Sequence, residues 1–402
     1  MKESGIPWIG MIPSDWEVCF TKQLMRNKSI KGFPDEQVLS LYRDYGVVPK
    51  DSRDDNHNVT SEDTATYKLV EVGDFVINKM KAWQGSMAIS AYRGIISPAY
   101  YICRFTNESV NRRYIHYLLR NETYKTEYRR LSTGLRVGQW DLNIDDFLHI
   151  PAILPPLPTQ QRIADFLDRK CAEIDELAAL QVTMIAELKR YKQSVITEAV
   201  AKGLDPNVPM KDSGVEWIGE IPEEWEVRKI KTMATLKSGN NLTTYDFLEG
   251  EEGYPVYGGN GFRGYFSQYS NDGDFVLIGR QGALCGNINY AHGKFWATDH
   301  AVVCYPKCEF ILTWFGESLR AMNLNQYSLS SAQPGLSVDR IRELYMVVPP
   351  LTEQRAIADY LDRKCAEIDE LIAIKQQKIE ALKEYKKSVI FEYVTGKIGF
   401  KC

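Results

Sequence analysis

Side chains that can hydrogen-bond to nucleic-acid bases follow two segments of this 402-residue sequence that have the pattern of β-strands. The stretch Asn78–Gly85 interleaves lysines with a tryptophan and a glutamine, and Arg280 and Gln281 stand in the corresponding place of the second half. Arginine and glutamine can make bidentate hydrogen bonds to guanine and adenine edges, whereas lysine mainly contacts phosphates. We therefore predict a DNA-binding surface formed by Lys79, Lys81, Trp83, Gln84, Arg93, Arg136, Asn260, Arg263, Arg280 and Gln281.

Glycines surround two of these residues. Asn260 and Arg263 lie among Gly258, Gly259, Gly261 and Gly264. Because glycine frees the backbone, this loop could reach into a groove. For each predicted residue taken singly, the alternative is an ordinary solvated polar side chain.

Signatures of catalysis are missing from the sequence. The segment 396–398 fails the pattern of a phosphate-binding loop. The proline pairs at 155–156 and 349–350 lack the polar and aromatic flanks of the amino-methyltransferase motif, so entry into a helix explains them better. We therefore expect a binding protein that is not an enzyme and has no catalytic residue.

The cysteines give little support for a metal centre. Cys304 and Cys308 lie near His292 and His300, which is one possible cluster. The first half of the chain has no equivalent, and strong zinc sites usually show paired short cysteine spacings. We expect no metal, and we expect the eight cysteines to be reduced thiols.

Composition is that of a folded protein with two or three domains, 44% hydrophobic and 25% charged. No run approaches 18 apolar residues and the N-terminus lacks the apolar core of a signal peptide, so we expect a cytoplasmic protein without membrane contact. The net charge of −4 means that a DNA-binding face would be basic only locally.

An internal repeat organises the whole chain. The block Ser4–Val18 returns 209 residues later as Ser213–Val227, and Leu167–Leu177 returns unchanged 194 residues later. The first variable segment is therefore longer by 15 residues, and the duplication predicts a constant scaffold carrying two different surfaces. Duplication followed by neutral drift is the alternative. In a repeat closed into a ring, residues 1–18 should pack near residues 390–402.

Two long helices are predicted, each after a proline-rich segment that disfavours helix before it and suits the first helical turn. Thr159 and Thr352 are the expected N-caps, and Gly203 and Gly396 stand where the helices should stop. Apolar residues then recur near heptad spacing and predict packing of the helix pair through Ile163, Leu167, Ile174, Leu177, Leu188, Ile357, Leu361, Ile368, Leu371 and Leu382.

A single apolar stripe on each helix requires a partner. We expect the two helices to form an antiparallel coiled coil with the globular segments at opposite ends. Gln181 and Lys375 interrupt the stripes at corresponding places, where polar residues fix the pairing register. The alternative is that each stripe packs on its own globular domain.

The globular segments predict a mixed, strand-rich structure. Strand patterns cover 68–78 and 273–279, which share a Gly-Asp-Phe-Val sequence, and further strands are expected around Val48, 95–96, 100–103 and 301–305. Tyr114–Arg130 is predicted to be one helix. The expected fold is α+β with pseudo-two-fold repetition, divided into a recognition domain 1–153, a helix 154–204, a second recognition domain 205–347 and a second helix 348–402.

The ordered motifs resemble those of the specificity subunits of type I restriction–modification systems. These motifs are Pro-Pro-Leu-x-x-Gln-x-x-Ile-Ala-x-x-Leu-Asp at 155–168 and 349–362, the duplicated helices, and Trp-Ile-Gly-x-Ile-Pro-x-x-Trp at 8–16 and 217–225. Thr159 and Gln161 of the first copy depart from Glu353 and Arg355 of the second, which leaves the resemblance intact. It covers essentially the whole chain.

The resemblance implies two target recognition domains that each read one half of a split site in double-stranded DNA. It implies that the helix pair sets the unread spacer and docks two methyltransferase subunits, and through them restriction subunits. S-adenosylmethionine, ATP and Mg²⁺ would belong to those partners and not to this chain. Two alternatives stay open: a coiled-coil adaptor that does not bind DNA, and the specificity subunit of a methyltransferase-only complex.

Overall fold

The protein folds into two compact units, and each unit takes part of both long helices. The computed structural model describes residues 1–43, 45–53, 64–134, 140–215, 218–243, 247–248, 250, 252–282, 284–328 and 335–399. Unit 1 comprises Met1–Gln181 with Gln377–Cys402, and unit 2 comprises Val182–Gln376. No helix in the described part of the chain is long and apolar enough to cross a membrane.

The first half of the chain alternates short strands with short helices before the first long helix. Its elements are β1 Lys2–Glu3, β2 Met11–Ile12, β3 Glu17–Phe20, β4 Met25–Asn27, β5 Leu39–Tyr42, β6 Gly46–Pro49, β7 Lys68–Val70, β8 Phe75–Asn78, β9 Met87–Ile89, β10 Gly94–Ile96, β11 Tyr100–Phe105, α1 Arg112–Arg120, α2 Glu122–Leu131, α3 Ile144–Leu148, β12 Pro151–Leu154 and α4 Leu157–Lys202.

The second half repeats this plan. Its elements are β13 Met210–Asp212, β14 Glu220–Pro222, β15 Glu226–Lys229, α5 Ile230–Met233, β16 Ala234–Ser238, β17 Tyr254–Gly258, β18 Gly261–Phe266, β19 Asn271–Asp272, β20 Phe275–Gly279, β21 Ile288–Ala291, β22 Lys294–Ala297, β23 Ala301–Pro306, α6 Leu312–Ala321, α7 Val338–Ile341, β24 Tyr345–Val348 and α8 Leu351–Val394. The α+β class and the repetition are both as predicted.

A four-stranded antiparallel sheet has the same strand order in both units. The order is β4-β11-β8-β9 in unit 1 and β16-β23-β20-β21 in unit 2. The inner strands β8 and β20 hold buried aliphatic runs, Val76–Ile77 and Val276–Ile278, as expected for strands covered on both faces. The units differ beside this sheet: unit 2 adds the sheet β18-β17-β22-β19, and unit 1 has the pairs β5-β6 and β7-β10.

Both long helices begin earlier than their predicted caps. Helix α4 starts at Leu157 and α8 at Leu351, so Thr159 and Thr352 lie within the first turn and are not N-caps. Prolines suit this first turn, because the N–H that they lack has no partner there in any case. The helices therefore start directly after the second proline of each pair.

A repeated glutamine fastens each helix start to the sheet-bearing segment. The buried Gln160 amide donates to the Pro155 carbonyl at 2.8 Å and accepts from the backbone N–H of Asn111, just before α1, at 2.8 Å. Gln354 makes the same two bonds, at 2.9 Å to the Pro349 carbonyl and 3.0 Å from the N–H of Ile311. These two hydrogen bonds explain why both copies of the motif have a glutamine at this position.

The helix ends are as predicted, and each is covered by the tryptophan of a repeated block. Gly203 and Gly396 follow α4 and α8 with positive φ, the left-handed conformation that favours glycine at a C-terminus. A Cβ on Gly203 would lie 3.2 Å from the Trp225 ring, and one on Gly396 would lie 3.1 Å from the Trp16 ring. The Lys397 ammonium donates to the carbonyls of Ile9 and Met11 at 2.8 and 2.7 Å, so the N-terminal block packs on the end of α8 as predicted.

The helices are antiparallel in each unit. In unit 1, the rings of Phe166 and Tyr393 lie 4.3 Å apart and Lys386 pairs with Asp175 at 2.7 Å, so residue numbers rise along one helix as they fall along the other. In unit 2, Lys192 of the second half of α4 pairs with Asp369 of the first half of α8 at 2.7 Å. Each pair buries its apolar residues in its unit's core, Ile163 and Leu167 beside Val389, and Val195 beside Ile357 and Leu361.

The packed seam is displaced by one residue from two of the predicted positions. Leu177 and Leu371 are 45% and 47% exposed, whereas the following residues, Ala178 and Ile372, are half-buried and buried. The reason is the alternation of three- and four-residue steps, which leads from Ile174 through Ala178 to the buried Gln181. Among the other predicted seam residues, Ile174 and Ile368 are buried, and Leu188 and Leu382 are half-buried.

The predicted helix Tyr114–Arg130 is two helices. Asn121 ends α1 in an extended conformation, and its side chain caps α2 by accepting from the N–H groups of Thr123 and Tyr124. Asparagine favours such caps because its carbonyl oxygen satisfies N–H groups that the first helical turn leaves unpaired. The break turns the chain while Tyr124 and Tyr128 remain buried.

Replacing Tyr114 with phenylalanine should destabilise unit 1. Its buried hydroxyl lies 2.9 Å from the Ile153 carbonyl oxygen and 3.1 Å from that of Val394, and so joins α1 to β12 and to the end of α8. We expect a loss of about 1–2 kcal/mol in the free energy of unfolding, measured by urea denaturation, because the donor is removed inside a core. Tyr385→Phe, at an exposed tyrosine of α8, is the control. Equal effects of the two changes would contradict this role.

Candidate nucleic-acid interface

The strand exit in unit 2 presents a fixed arginine. Arg280 follows β20, where its N–H donates to the His300 carbonyl at 2.8 Å and its carbonyl accepts from Leu336 at 2.9 Å. Its Nη1 donates to Ser238 Oγ, the last residue of β16, at 3.1 Å. A guanidinium has five N–H donors, so this anchor orients the fork and leaves further donors for a ligand.

A glycine-rich hairpin turn lies against this exit. Strands β17 and β18 pair as far as Gly258 and Gly261, so the turn consists of Gly259 and Asn260. A Cβ added at Gly279 would overlap the carbonyl oxygen of Gly259, so this close approach requires glycine at the end of β20. Asn260 accepts from the Asn287 amide at 3.3 Å.

The turn brings four of the predicted residues into one neighbourhood. Asn260, Arg263 and Gln281 are exposed, and a Cβ on Gly259 would lie 3.3 Å from the Gln281 carbonyl oxygen. The Arg263 guanidinium lies 6.0 Å from the centre of the Phe247 ring. Together with Arg280, these side chains offer amide and guanidinium groups, which are the groups that read base edges.

Unit 1 presents a different set at the equivalent exit. The residues after β8 form a short 3₁₀ turn, Ala82–Gln84, closed by Gly85 in the left-handed conformation. Lys79 is partly neutralised by Asp141 at 3.3 Å, whereas Lys81 is exposed and Gln84 is half-buried. Lys79, Lys81, Trp83 and Gln84 therefore lie around one turn at the end of β8.

Two residues absent from the predicted set complete this surface. The rings of Trp83 and Trp140 lie 5.5 Å apart, and the exposed Arg129 guanidinium lies 5.8 and 5.9 Å from them. A cation over aromatic faces is held in place electrostatically. Arg129 lies in the segment predicted as the helix Tyr114–Arg130, but no sequence pattern pointed to Trp140, because its contact with Trp83 spans 57 residues of chain.

Arg93 lies between two carboxylates. Its guanidinium pairs with Glu36 at 2.9 Å and with Glu71 at 2.6 Å, and hydrogen bonding to Glu36 raises its pKa. Two carboxylates outweigh its single charge, so this part of the surface is not positively charged. Arg136 lies outside the described residues.

The cysteine and histidine cluster considered from the sequence does not converge on one point. Cys304 lies in the core, where burial raises the pKa of its thiol, and the Cys308 sulfur contacts that of Met233 at 3.8 Å. His292 pairs with Asp274 at 3.0 Å. Across the residues that the structure describes, no group of three or more His, Cys, Asp or Glu side chains could hold a metal ion.

Comparison with known proteins assigns this architecture to a family. The sequence profile described as "Type I restriction modification DNA specificity domain" matches residues 13–184 and 222–384, one match for each repeat. The chain belongs to this family. It is therefore a specificity subunit of a type I restriction–modification system, as its motifs indicated.

Relatives extend over the whole chain. The specificity subunit of the type I restriction enzyme MjaVIII from Methanocaldococcus jannaschii is 24% identical over 97% of this chain and 94% of its own. The specificity subunit of EcoprrI from Escherichia coli is 45% identical over 131 residues, which span 32% of this chain and 33% of that protein. The stronger identity thus covers about a third of each.

Solved structures share the fold at low sequence identity. A chain from a study of complex assembly and conformational transition of the type I R-M system aligns with a TM-score of 0.74 at 15% identity, covering 96% of this specificity subunit and 100% of that chain. The HsdS subunit from Thermoanaerobacter tengcongensis gives 0.55 at 14% identity, covering 99% and 100%. Both likenesses concern the fold alone.

Proposed function

We propose that this specificity subunit binds a bipartite DNA site, reading one half with each unit, and has no catalytic activity of its own. The observation that carries the proposal is the equivalence of β8 and β20, which occupy the same place in sheets of the same strand order. Each strand ends in a loop of exposed cationic, amide or aromatic groups, and the groups differ between the units. A constant frame with different reading groups suits two different half-sites.

The helix pair is the proposed spacer between the half-sites. Helix α4 has 46 residues and α8 has 44, which is about 65–70 Å of helix at 1.5 Å per residue. Both helices contribute residues to both units. Half-sites one helical turn of DNA apart are separated by about 34 Å, which lies within this range.

The outward face of the helices is the proposed docking surface for two methyltransferase subunits. Large apolar side chains stay exposed at matched positions: Leu177, Leu180 and Tyr385 in unit 1, and Leu371, Ile374 and Tyr191 in unit 2. Exposed apolar clusters on soluble proteins mark interaction sites, and each unit here carries the same set. Two equivalent sets fit two copies of one partner.

The chemistry of the complex is proposed to belong to the partners. S-adenosylmethionine would bind to the methyltransferase subunits, and ATP and Mg²⁺ would serve the restriction subunits that join through them. The chain then supplies selection of the site and its geometry. A complex with methyltransferase subunits alone would use the same surfaces.

The test is to express the chain with the methyltransferase encoded beside it and to map methylated adenines across the genome. We expect one motif of two short sequences separated by a fixed unread gap. Methylation without a bipartite motif would overturn the proposal. An assembled complex without DNA affinity would indicate a coiled-coil adaptor.

Two arginines should differ in their effect on the salt dependence of DNA binding by the assembled complex. Arg263→Ala should reduce the slope of log Kd against log salt by about one, because an exposed guanidinium neutralises a phosphate. Arg93→Ala should leave the slope unchanged, because Glu36 and Glu71 already hold that charge. Titrations across a range of NaCl concentrations measure both slopes, and equal slopes for the two variants would contradict the assignment.

A further inference from the structure

One aromatic side chain at the unit 2 hairpin is exposed without a structural reason. Phe262, the second residue of β18, is 54% exposed. Its ring is held edge-on by Tyr265, with centres 5.2 Å apart, and by Tyr257 at 6.4 Å, while the rest stays open. Leu284, in the turn after Gln281, is equally exposed. Exposed apolar side chains that lie among polar ones suit a binding partner whose surface also has both apolar and polar groups.

The hairpin turn that precedes Phe262 is packed against the end of β20. Gly261 has a φ of +92°, and the Gly259 carbonyl is lodged against Gly279. Contacts with the rings of Tyr257 and Tyr265 restrict the Phe262 side chain, which lowers the entropic cost of binding.

Neighbouring side chains identify the base pair that fits. A two-stranded ribbon can enter the major groove, where asparagine or glutamine pairs with adenine and an apolar side chain contacts the C5-methyl group of thymine. Asn260 and Phe262 are two residues apart at the hairpin end, and Gln281 lies beside the turn. An amide next to an exposed ring matches the adenine and the thymine of one base pair.

We infer that Phe262 is a specificity-determining residue that contacts the C5-methyl group of a thymine in the half-site read by unit 2. The inference rests on the proposed function and adds a base-pair class to it. The ring supplies the apolar contact and the neighbouring amide supplies the hydrogen bonds. An A·T pair at this place is therefore preferred over G·C.

The test measures binding of the assembled complex to duplexes that carry its mapped site. Each thymine of the unit 2 half-site is replaced in turn by deoxyuridine, which lacks only the methyl group. For the wild-type complex we expect one position to lose about fourfold in affinity, the effect of one buried methyl-sized group. For Phe262→Ala we expect no further loss at that position. Phe262→Leu should keep part of the sensitivity, because the side chain stays apolar.

The control is Tyr269→Ala, at an exposed aromatic residue beyond the end of β18, which should leave the deoxyuridine effect unchanged. Equal sensitivity of the wild type and Phe262→Ala to deoxyuridine would overturn the inference. Sensitivity at no position would overturn it too, and is the result expected if the ring inserted between base pairs. In either case, the proposed function stands if the wild-type complex still discriminates its site from scrambled DNA. Loss of discrimination in the wild type would overturn both.

Discussion

Replacing Arg280 with alanine is expected to relax one position of one half-site and to leave the other half-site unchanged. The Ser238 hydroxyl and two backbone bonds fix this arginine at the exit of β20, so its remaining donors have a defined direction. A bidentate contact to a base discriminates by about 1–3 kcal/mol, or roughly fivefold to more than a hundredfold. The measurement is the methylated motif of the variant complex, position by position.

The lysine variant separates charge from geometry. Arg280→Lys keeps the charge but loses the planar fork, so it should relax the same position while retaining overall affinity. Arg228→Ala serves as the matched control, because that guanidinium pairs with Glu226 at 2.6 Å on β15. If Arg280→Ala weakened both half-sites equally, the residue would be structural and would not read a base.

Aspartate at the exposed helix face is expected to remove methyltransferase subunits one at a time. Leu180 and Ile374 are matched positions of the repeat, 50% and 51% exposed. Burying a charge in an apolar interface is costly, and a central interface position contributes about 2 kcal/mol or more, which is roughly thirtyfold in affinity. Native mass spectrometry should find one methyltransferase subunit on Leu180→Asp, one on Ile374→Asp and none on the double variant.

The control for docking is an exposed aliphatic residue away from the helices. Val72 lies between β7 and β8, and Val72→Asp should keep both methyltransferase subunits. Because the two helix positions are exposed, the aspartates should not change the free energy of unfolding of the isolated chain. Two subunits retained on the double variant would place the docking surface elsewhere.

The constant parts of the molecule could be predicted from the sequence because their causes are local. Helix ends follow from Gly203 and Gly396, and the pairing of the helices follows from their apolar repeat. The prediction that Leu177 and Leu371 pack in the helix seam was wrong, because both residues are exposed. Strict three- and four-residue steps lead instead to Ala178 and Ile372. Leu177 and Leu371 lie instead on the outward face of the helices, where we propose that they contact a methyltransferase subunit.

The candidate DNA-binding surfaces were less predictable because they depend on contacts between residues far apart in the chain. The sequence does not show that Arg93 pairs with Glu36 and Glu71, because only the tertiary fold brings these residues together. Trp140 joined Trp83 only through the tertiary fold, and the sheet order β4-β11-β8-β9 is not the order of the sequence. The ends of the strands, in contrast, were predictable, because a short buried strand and the turn after it depend on residues that are adjacent in the sequence.

The most direct measurement of the central claim is the gap of the methylated motif after one heptad is inserted into both helices, after Gln181 in α4 and after Lys375 in α8. Equal insertions preserve the pairing of Lys386 with Asp175 and of Lys192 with Asp369. They lengthen the pair by about 10 Å at 1.5 Å per residue, close to three base pairs. We expect both half-sites to be retained and the gap between them to grow; an unchanged gap would contradict a spacer built from these helices.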